Sequence, residues 1–404
     1  TYKLMKRRHF IHTLAASTYG LKTIDAKEAP IASKAKNVIY ICLDGGMSHI
    51  DTFDPKDNKD VMGNTTKIST NVSGIELGNR LPKLANIVDR MSIIRSTTSK
   101  TGAHEQAQYL NRTSYRQIGS IVHPSLGSWV AHIQDREKDI PDYVLISGSS
   151  AHPNSGFLPK VKSPLPIVDP QGGLRNSKVD SKLEERMRIL RELNSSLRAP
   201  LASEYNQFYD NTVRFLKSKD LELFDLTKES SDKRANYGDT RLGQGCLLAK
   251  RLIKGDIKFI EINNGGWDTH VDNFTKLDNK LKEVDDALSA LVLDLDSEGL
   301  LDSTLIALVT EFGRTPNINV NDGRDHHPQC YSTVLIGAGV KGGYIAGETN
   351  KTASKVTKDP YTISDINATI AHLLGIQTEQ DRFSPNGRPF KVANKGSVIK
   401  DILS

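Results

Sequence analysis

Asn264-Gly-Gly-Trp-Asp-Thr-His-Val-Asp-Asn273 follows the apolar run Ile257-Lys-Phe-Ile-Glu-Ile262. The β-branched and aromatic content of that run predicts a buried strand, and Asn263-Asn264-Gly265-Gly266 predicts the turn that ends it. Asp268 and His270 come directly afterwards. An acid and an imidazole two residues apart, just past a strand end, fit the crevice above the carboxyl ends of an open α/β sheet.

The same grammar recurs along the chain. Asn37-Val-Ile-Tyr-Ile-Cys-Leu43 reads as a central parallel strand and discharges into Asp44-Gly45-Gly46. Ser303 to Thr310 is another buried strand and ends at Glu311, while Tyr331 to Ile336, Tyr143 to Ser147 and Met91 to Arg95 read as further strands. Helices are expected at Leu81–Arg90, His104–Arg112, Ser125–Gln134, Gly243–Ile253, Leu277–Leu295 and Ser364–Leu374, each from apolar spacing or helix-forming composition. Strands alternating with helices predict a doubly wound, mostly parallel α/β sheet with helices on both faces. Gly148 to about Leu174 is rich in Ser, Pro and Gly and is expected to be an irregular excursion over the active face, a candidate substrate lid. Lys182 to Leu226 is expected to be a helical insert, so that 148–230 forms one insertion.

The chain has 404 residues, is 37% hydrophobic and 25% charged, and carries a formal net charge of +6. That balance is globular and mildly basic. It suits an anionic substrate and gives no sign of nucleic-acid binding. Cys42, Cys246 and Cys330 lie far apart, which argues against a disulfide framework or a structural zinc cluster. No apolar run is long enough to span a membrane. Arg7-Arg8 before a weakly apolar segment resembles a twin-arginine address, so residues 1–30 are expected to be an export signal and the protein periplasmic or on the cell surface.

Strand ends and the loops after them carry candidate metal ligands: Asp44, Asp268 with His270, Glu311, and His326. Asp51 and Asp54 are rivals to Asp44. Mixed imidazole and carboxylate donors suit zinc or manganese better than calcium. The loop Asp322-Gly-Arg-Asp-His-His-Pro328 adds Asp325 and His327 to the candidate site. A hydroxyl-rich connector, Ser96 to Ala103, precedes the helix at His104 and could seat a nucleophile, or simply cap that helix. Arg112 or Arg314 could hold the free oxygens of a sulfate or phosphate ester in a bidentate fork.

Five blocks together resemble a known family: Asp44-Gly-Gly-Met-Ser-His-Ile-Asp-Thr-Phe-Asp-Pro-Lys56, Gly102-Ala-His-Glu-Gln-Ala-Gln-Tyr-Leu-Asn-Arg-Thr-Ser-Tyr115, Gly265-Gly-Trp-Asp-Thr-His-Val-Asp-Asn-Phe274, Glu311-Phe-Gly-Arg-Thr-Pro316 and Gly323-Arg-Asp-His326. They resemble the bacterial domain-of-unknown-function group fifteen-oh-one, sulfatase-like exported proteins related to the alkaline phosphatase superfamily. The resemblance covers roughly residues 35 to 390, leaving 391–404 as a tail. It implies a sheet of the alkaline phosphatase/sulfatase type, ligands at Asp44, Asp268, His270, Glu311 and His326, and a nucleophile near Thr101. Phe312 stands where the superfamily has a histidine, the Asp268–His270 spacing is shorter, and the formylglycine motif of sulfatases is missing. A sulfatase here would then use Thr101, or a metal-bound water with His104 as acid/base. The expected activity is metal-dependent hydrolysis of sulfate esters on anionic polysaccharides. The alternatives are phosphate-ester hydrolysis, or metal-stabilised glycan binding without catalysis.

Overall fold

The computed structural model describes residues 31–404 except 137, 149–150, 176, 178–181 and 197–201. Residues 33–404 form one compact unit. Its centre is a nine-stranded sheet. In chain order the strands are β1 (Asn37–Leu43), β2 (Met91–Thr98), β3 (Tyr143–Ile146), β4 (Leu165–Ile167), β5 (Phe259–Asn264), β6 (Thr304–Thr310), β7 (Tyr331–Gly337), β8 (Tyr344–Ala346) and β9 (Tyr361–Thr362). Across the sheet the order is β8-β2-β7-β6-β1-β5-β3-β4, with β9 also paired to β2. β7 alone runs against its neighbours, and every other pairing is parallel.

The period-two alternation of β1 explains why the sheet needs helices on both faces. Ile39, Ile41 and Leu43 enter one core with Leu247, Leu281 and Leu288, whereas Val38, Tyr40 and Cys42 enter a second with Trp129, Ile366 and Ile370. The longer helices are α1 (His104–Thr113), α2 (Leu126–Ile133), α3 (Leu183–Ser196), α4 (Ala202–Lys217), α5 (Arg241–Lys254), α6 (Asn273–Ser297) and α7 (Ile363–Leu373). Ser125 and Thr240 cap α2 and α5 through side-chain oxygens, and Thr362 with Asp365 forms a capping box on α7, as their positions before apolar-periodic segments require. The result is the expected doubly wound, mostly parallel α/β architecture.

Two local expectations change. Leu81–Arg90 is not one helix but a single turn, Pro82–Ala85, followed by a 3₁₀ turn, Val88–Arg90. Its first N–H groups are taken by a distant carboxylate, Asp285, at 3.0 and 2.8 Å to Lys83 and Leu84. That bond fixes the turn without lengthening it. The Gly148–Leu174 excursion is not wholly irregular: Leu165–Ile167 extends the sheet edge beside β3, and His152 is buried against β5. Tyr344–Ala346, inside the glycine-rich stretch 337–347, pairs with β2. The closing residues contribute Val392, Ile399 and Ile402 to the second core. The twin-arginine segment lies outside the described residues. No described helix is long and apolar enough to cross a membrane.

One charged residue sits in the middle of the sheet. Glu261 on β5 is 1% exposed and accepts from Arg112 Nε at 2.8 Å and from Tyr143 Oη at 2.6 Å, with His152 Nε2 at 3.2 Å. Burial pushes its carboxyl up, but the His152 ring, the Arg112 guanidinium and the Tyr143 hydroxyl outweigh burial and hold it well below the usual range. A depressed folded value contributes stability above the unfolded carboxylate value of about 4.3, lost as pH falls through the folded one. Urea midpoints of the wild type should therefore decline below about pH 4.3, and Glu261→Gln should flatten that limb while lowering stability at neutral pH. Parallel pH profiles for the two proteins would refute the assignment.

Candidate metal centre

The carboxyl ends of β1, β5 and β6 open on one side of the sheet, and there the loops converge. Gly45 carries a φ of +124°, and a Cβ at that position would lie 2.5 Å from the Asp268 nitrogen. Only glycine lets the β1 loop press this closely on the β5 loop. Gly323 meets the His270 carbonyl with the same lack of room. These contacts set the β5 loop, with Asp268 and His270, between the segments that follow β1 and β6.

Three histidines and one aspartate meet in this space. A donor atom from each of His104, Asp268 and His326 lies within 4.8 Å of those of the other two. His326 Nε2 is 3.2 Å from Asp268 Oδ1, and His104 Nε2 is 3.5 Å from Oδ2. His270 Nε2 stands at the rim, 3.0 Å from His326 Nε2 and 3.2 Å from Asp268 Oδ1. The other nitrogen of each ring is occupied: His104 Nδ1 by Glu311 at 2.5 Å, His326 Nδ1 by the Gly102 carbonyl at 2.7 Å, and His270 Nδ1 by Asp325 at 2.8 Å. An acceptor on Nδ1 places the proton there and leaves the Nε2 lone pair facing the cluster. His104 Nε2 is buried and has no hydrogen-bond partner among the described residues.

The electrostatics follow from this arrangement. Partial burial pushes Asp268 up, but the Arg314 guanidinium at 2.5 Å, aided by His326 and His270, brings it down to about 2. Burial lowers His326, keeping the ring neutral. Burial raises Glu311, opposed by its bond to His104. Neutral imidazole nitrogens turned toward each other and toward an ionised carboxylate repel unless a cation lies between them. The donor set of two imidazoles and a carboxylate, with hydrogen-bonded partners behind them, fits a divalent ion of the zinc class.

Other expected site residues fall into different places. Glu311 stands behind His104, and its Oε1 also accepts the Gly45 N–H at 2.8 Å. Asp44 is tied to Arg112 Nη2 at 3.1 Å. Arg112 is buried and engaged with Glu261, Asn263, Asp44 and the Gln108 carbonyl. Arg314 is fully buried and spans Gly46, Arg324 and Asp268. Both arginines therefore act as struts in this structure. Thr101 Oγ1 donates to Gln106 at 3.0 Å and accepts from the Ala103 N–H. His327, on the opposite face of its two-residue strand from His326, bonds the Ser354 carbonyl and stacks on His49. The rivals Asp51 and Asp54 are saturated: Asp51 by Ser48, Thr65, Asn273 and Arg324, Asp54 by Lys56, Arg95 and Thr349. Phe312 lies against the rings of His104 and His326, with centroids at 5.1 and 4.6 Å. The three cysteines are buried and unpaired.

Sequence reasoning reached His104 as an acid/base rather than as a ligand. Its position at the head of a helix gave no local sign that Glu311, from a strand far along the chain, would fix its ring. If Glu311 orients that ring, Glu311→Gln should weaken zinc binding about 10–100-fold in calorimetric titration, while His327→Ala leaves it unchanged. Unaltered affinity in Glu311→Gln would remove Glu311 from the centre.

Residues 35–403 match the family described as "Protein of unknown function (DUF1501)". A comparison with curated proteins finds no match. Among solved structures, a mutant of the alkaline phosphatase PafA is 10% identical, with 93% of this chain and 100% of that one covered and a TM-score of 0.47. The sulfatase PsFucS1 from Pseudoalteromonas sp. is 13% identical, with 98% and 78% covered and a TM-score of 0.43. A protein in the alkaline phosphatase superfamily from Vibrio parahaemolyticus is 11% identical, with 100% and 80% covered and a TM-score of 0.43. The family match covers nearly the whole compact unit and every residue of the centre, and the chain belongs to the DUF1501 family.

Proposed function

We propose that the protein is a metal-dependent hydrolase of sulfate esters on anionic polysaccharides, working outside the cytoplasm. The observation that carries this reading is the convergence of His104, Asp268 and His326, each with a fixed partner behind it. Three protein ligands, with the remaining position left to water or substrate, is the pattern of catalytic rather than structural metal sites. A divalent cation held there supplies Lewis-acid polarisation of an ester oxygen and eases deprotonation of the attacking water.

The chain's own residues do the rest. Arg314 keeps Asp268 ionised and in place. Glu311 and the Gly102 carbonyl hold His104 and His326 with Nε2 turned inward. His270 is the more exposed histidine of the group, at 42% of its side chain, and Asp325 sits on its Nδ1. His270 Nε2 can accept a proton from the attacking water and return one to the leaving alcohol, with Asp325 steadying the imidazolium. The cysteines are buried away from this chemistry, and Thr101 is turned to Gln106. The attacking group in this reaction is a water, with neither a formylglycine nor Thr101 as nucleophile. Extracellular polysaccharide as substrate agrees with Arg7-Arg8 as an export address.

The test is metal content together with sulfate and phosphate release from a panel of sulfated and phosphorylated esters. His326→Ala and Asp268→Ala should lose metal and activity together. His270→Ala should keep its metal yet turn over about 10²–10⁴-fold more slowly, with a changed pH profile. Release of phosphate alone would reassign the ester. Metal binding with no release from any ester would make the protein a binder.

A further inference from the structure

Across α1 from His104 lies a groove of about 600 Å³. Gln106 and Leu110, on the helix face turned away from the cluster, form one wall, and Ser99, Lys100 and Thr101 form its edge toward the metal centre. Lys100, Arg116 and Lys395 all line it, and no acidic residue does. None of the three cations has an ion pair among the described residues, whereas Lys67 is matched by Asp57 and Glu76 and Arg136 by Asp142 and Asp256. Three uncompensated like charges around one concavity repel one another and concentrate anions there.

The rest of the lining is mainly hydroxyl and amide, and amides such as Gln117 can both donate and accept. Such a surface suits a hydroxylated ligand. The groove and the metal centre also share a wall: Lys100 and Thr101 face the groove, and the carbonyl of the next residue, Gly102, holds His326. A chain laid over the ridge 100–103 would reach both places.

We propose that this groove is a second anion subsite, which holds a charged group of the same extended substrate some units away from the ester being cleaved. The inference rests on the hydrolase reading for the word substrate, and on the groove alone for binding. The substrate class is then a polyanionic, hydroxylated chain carrying at least two oxyanions. Sulfate, phosphate and carboxylate share the chemistry that three cations recognise.

The experiment uses the full chain and labelled oligomers of dextran sulfate, polyphosphate and polygalacturonate, with neutral dextran beside them, at low and physiological salt. The wild type should bind at least one charged oligomer in a salt-sensitive way and ignore the neutral one. The exposed triple variant Lys100→Ser, Arg116→Ser, Lys395→Ser should bind it about tenfold more weakly, and the preferred oligomer identifies the anion. His326→Ala should keep groove binding, which separates this subsite from the metal centre. With a cleavable polymer, the triple variant should raise KM and leave kcat, and hydrolysis of a small monoester should not change. Equal oligomer affinity in the wild type and the triple variant, or loss confined to His326→Ala, would overturn the inference. Groove binding without hydrolysis of any ester would retain the anion site and remove only the hydrolase reading.

Discussion

The Arg314 guanidinium holds the upper side of the molecule together. It is fully buried and bonds the carbonyls of Gly45, Gly46 and Arg324 along with the Asp268 carboxylate. One side chain thereby joins the loops after β1 and β5 to the segment after β6. A buried cation is stable only when its donors are matched, so each of these loops is obliged to present an oxygen at a fixed point. Arg324, equally buried, does the same one layer away with Asp51 and the carbonyls of Val61, Thr315 and Pro316. The position of Asp268, and with it the centre of the cluster, follows from these demands.

The same logic sets the histidines. Each has one nitrogen assigned to a neighbour of different origin: a strand-end glutamate, a backbone carbonyl and a loop aspartate. Orientation by such partners makes an imidazole a predictable donor rather than a rotating ring. Phe312 closes the side next to His104 and His326 with carbon. It excludes water from one flank and offers no further donor there.

Much of the fold was legible because its elements carry strong local signals. β1, β6 and β7 are short, continuous apolar runs, α6 has a long amphipathic stripe, and the turns that follow strands are marked by glycine. The acids at the strand ends were legible too, since a charge directly after a buried strand is conspicuous. Their roles were less so. Whether Asp44 faces a ligand or Arg112, and whether Glu311 binds directly or stands behind His104, depends on contacts between residues far apart in sequence. Asp51 looks like Asp44 in sequence and differs only in being surrounded by Ser48, Thr65 and Arg324. The short strand Leu165–Ile167 was missed for a similar reason: Leu-Pro-Ile becomes a strand by joining an existing edge, where proline's missing donor is tolerated.

The topology of β1 has a consequence for how the molecule is made. It is the first strand of the compact unit, yet both of its neighbours come late, beginning at Phe259 and at Thr304. At a synthesis rate of about 5–20 residues per second, this apolar run waits on the order of ten seconds or more before either partner exists. Throughout that interval its backbone groups are unpaired and its side chains of both faces have no core to enter. Such a segment can pair with another nascent chain as readily as with its own. The strand that leads into Asp44 thus needs shielding during synthesis, and the centre above it can assemble only after His326 has been made.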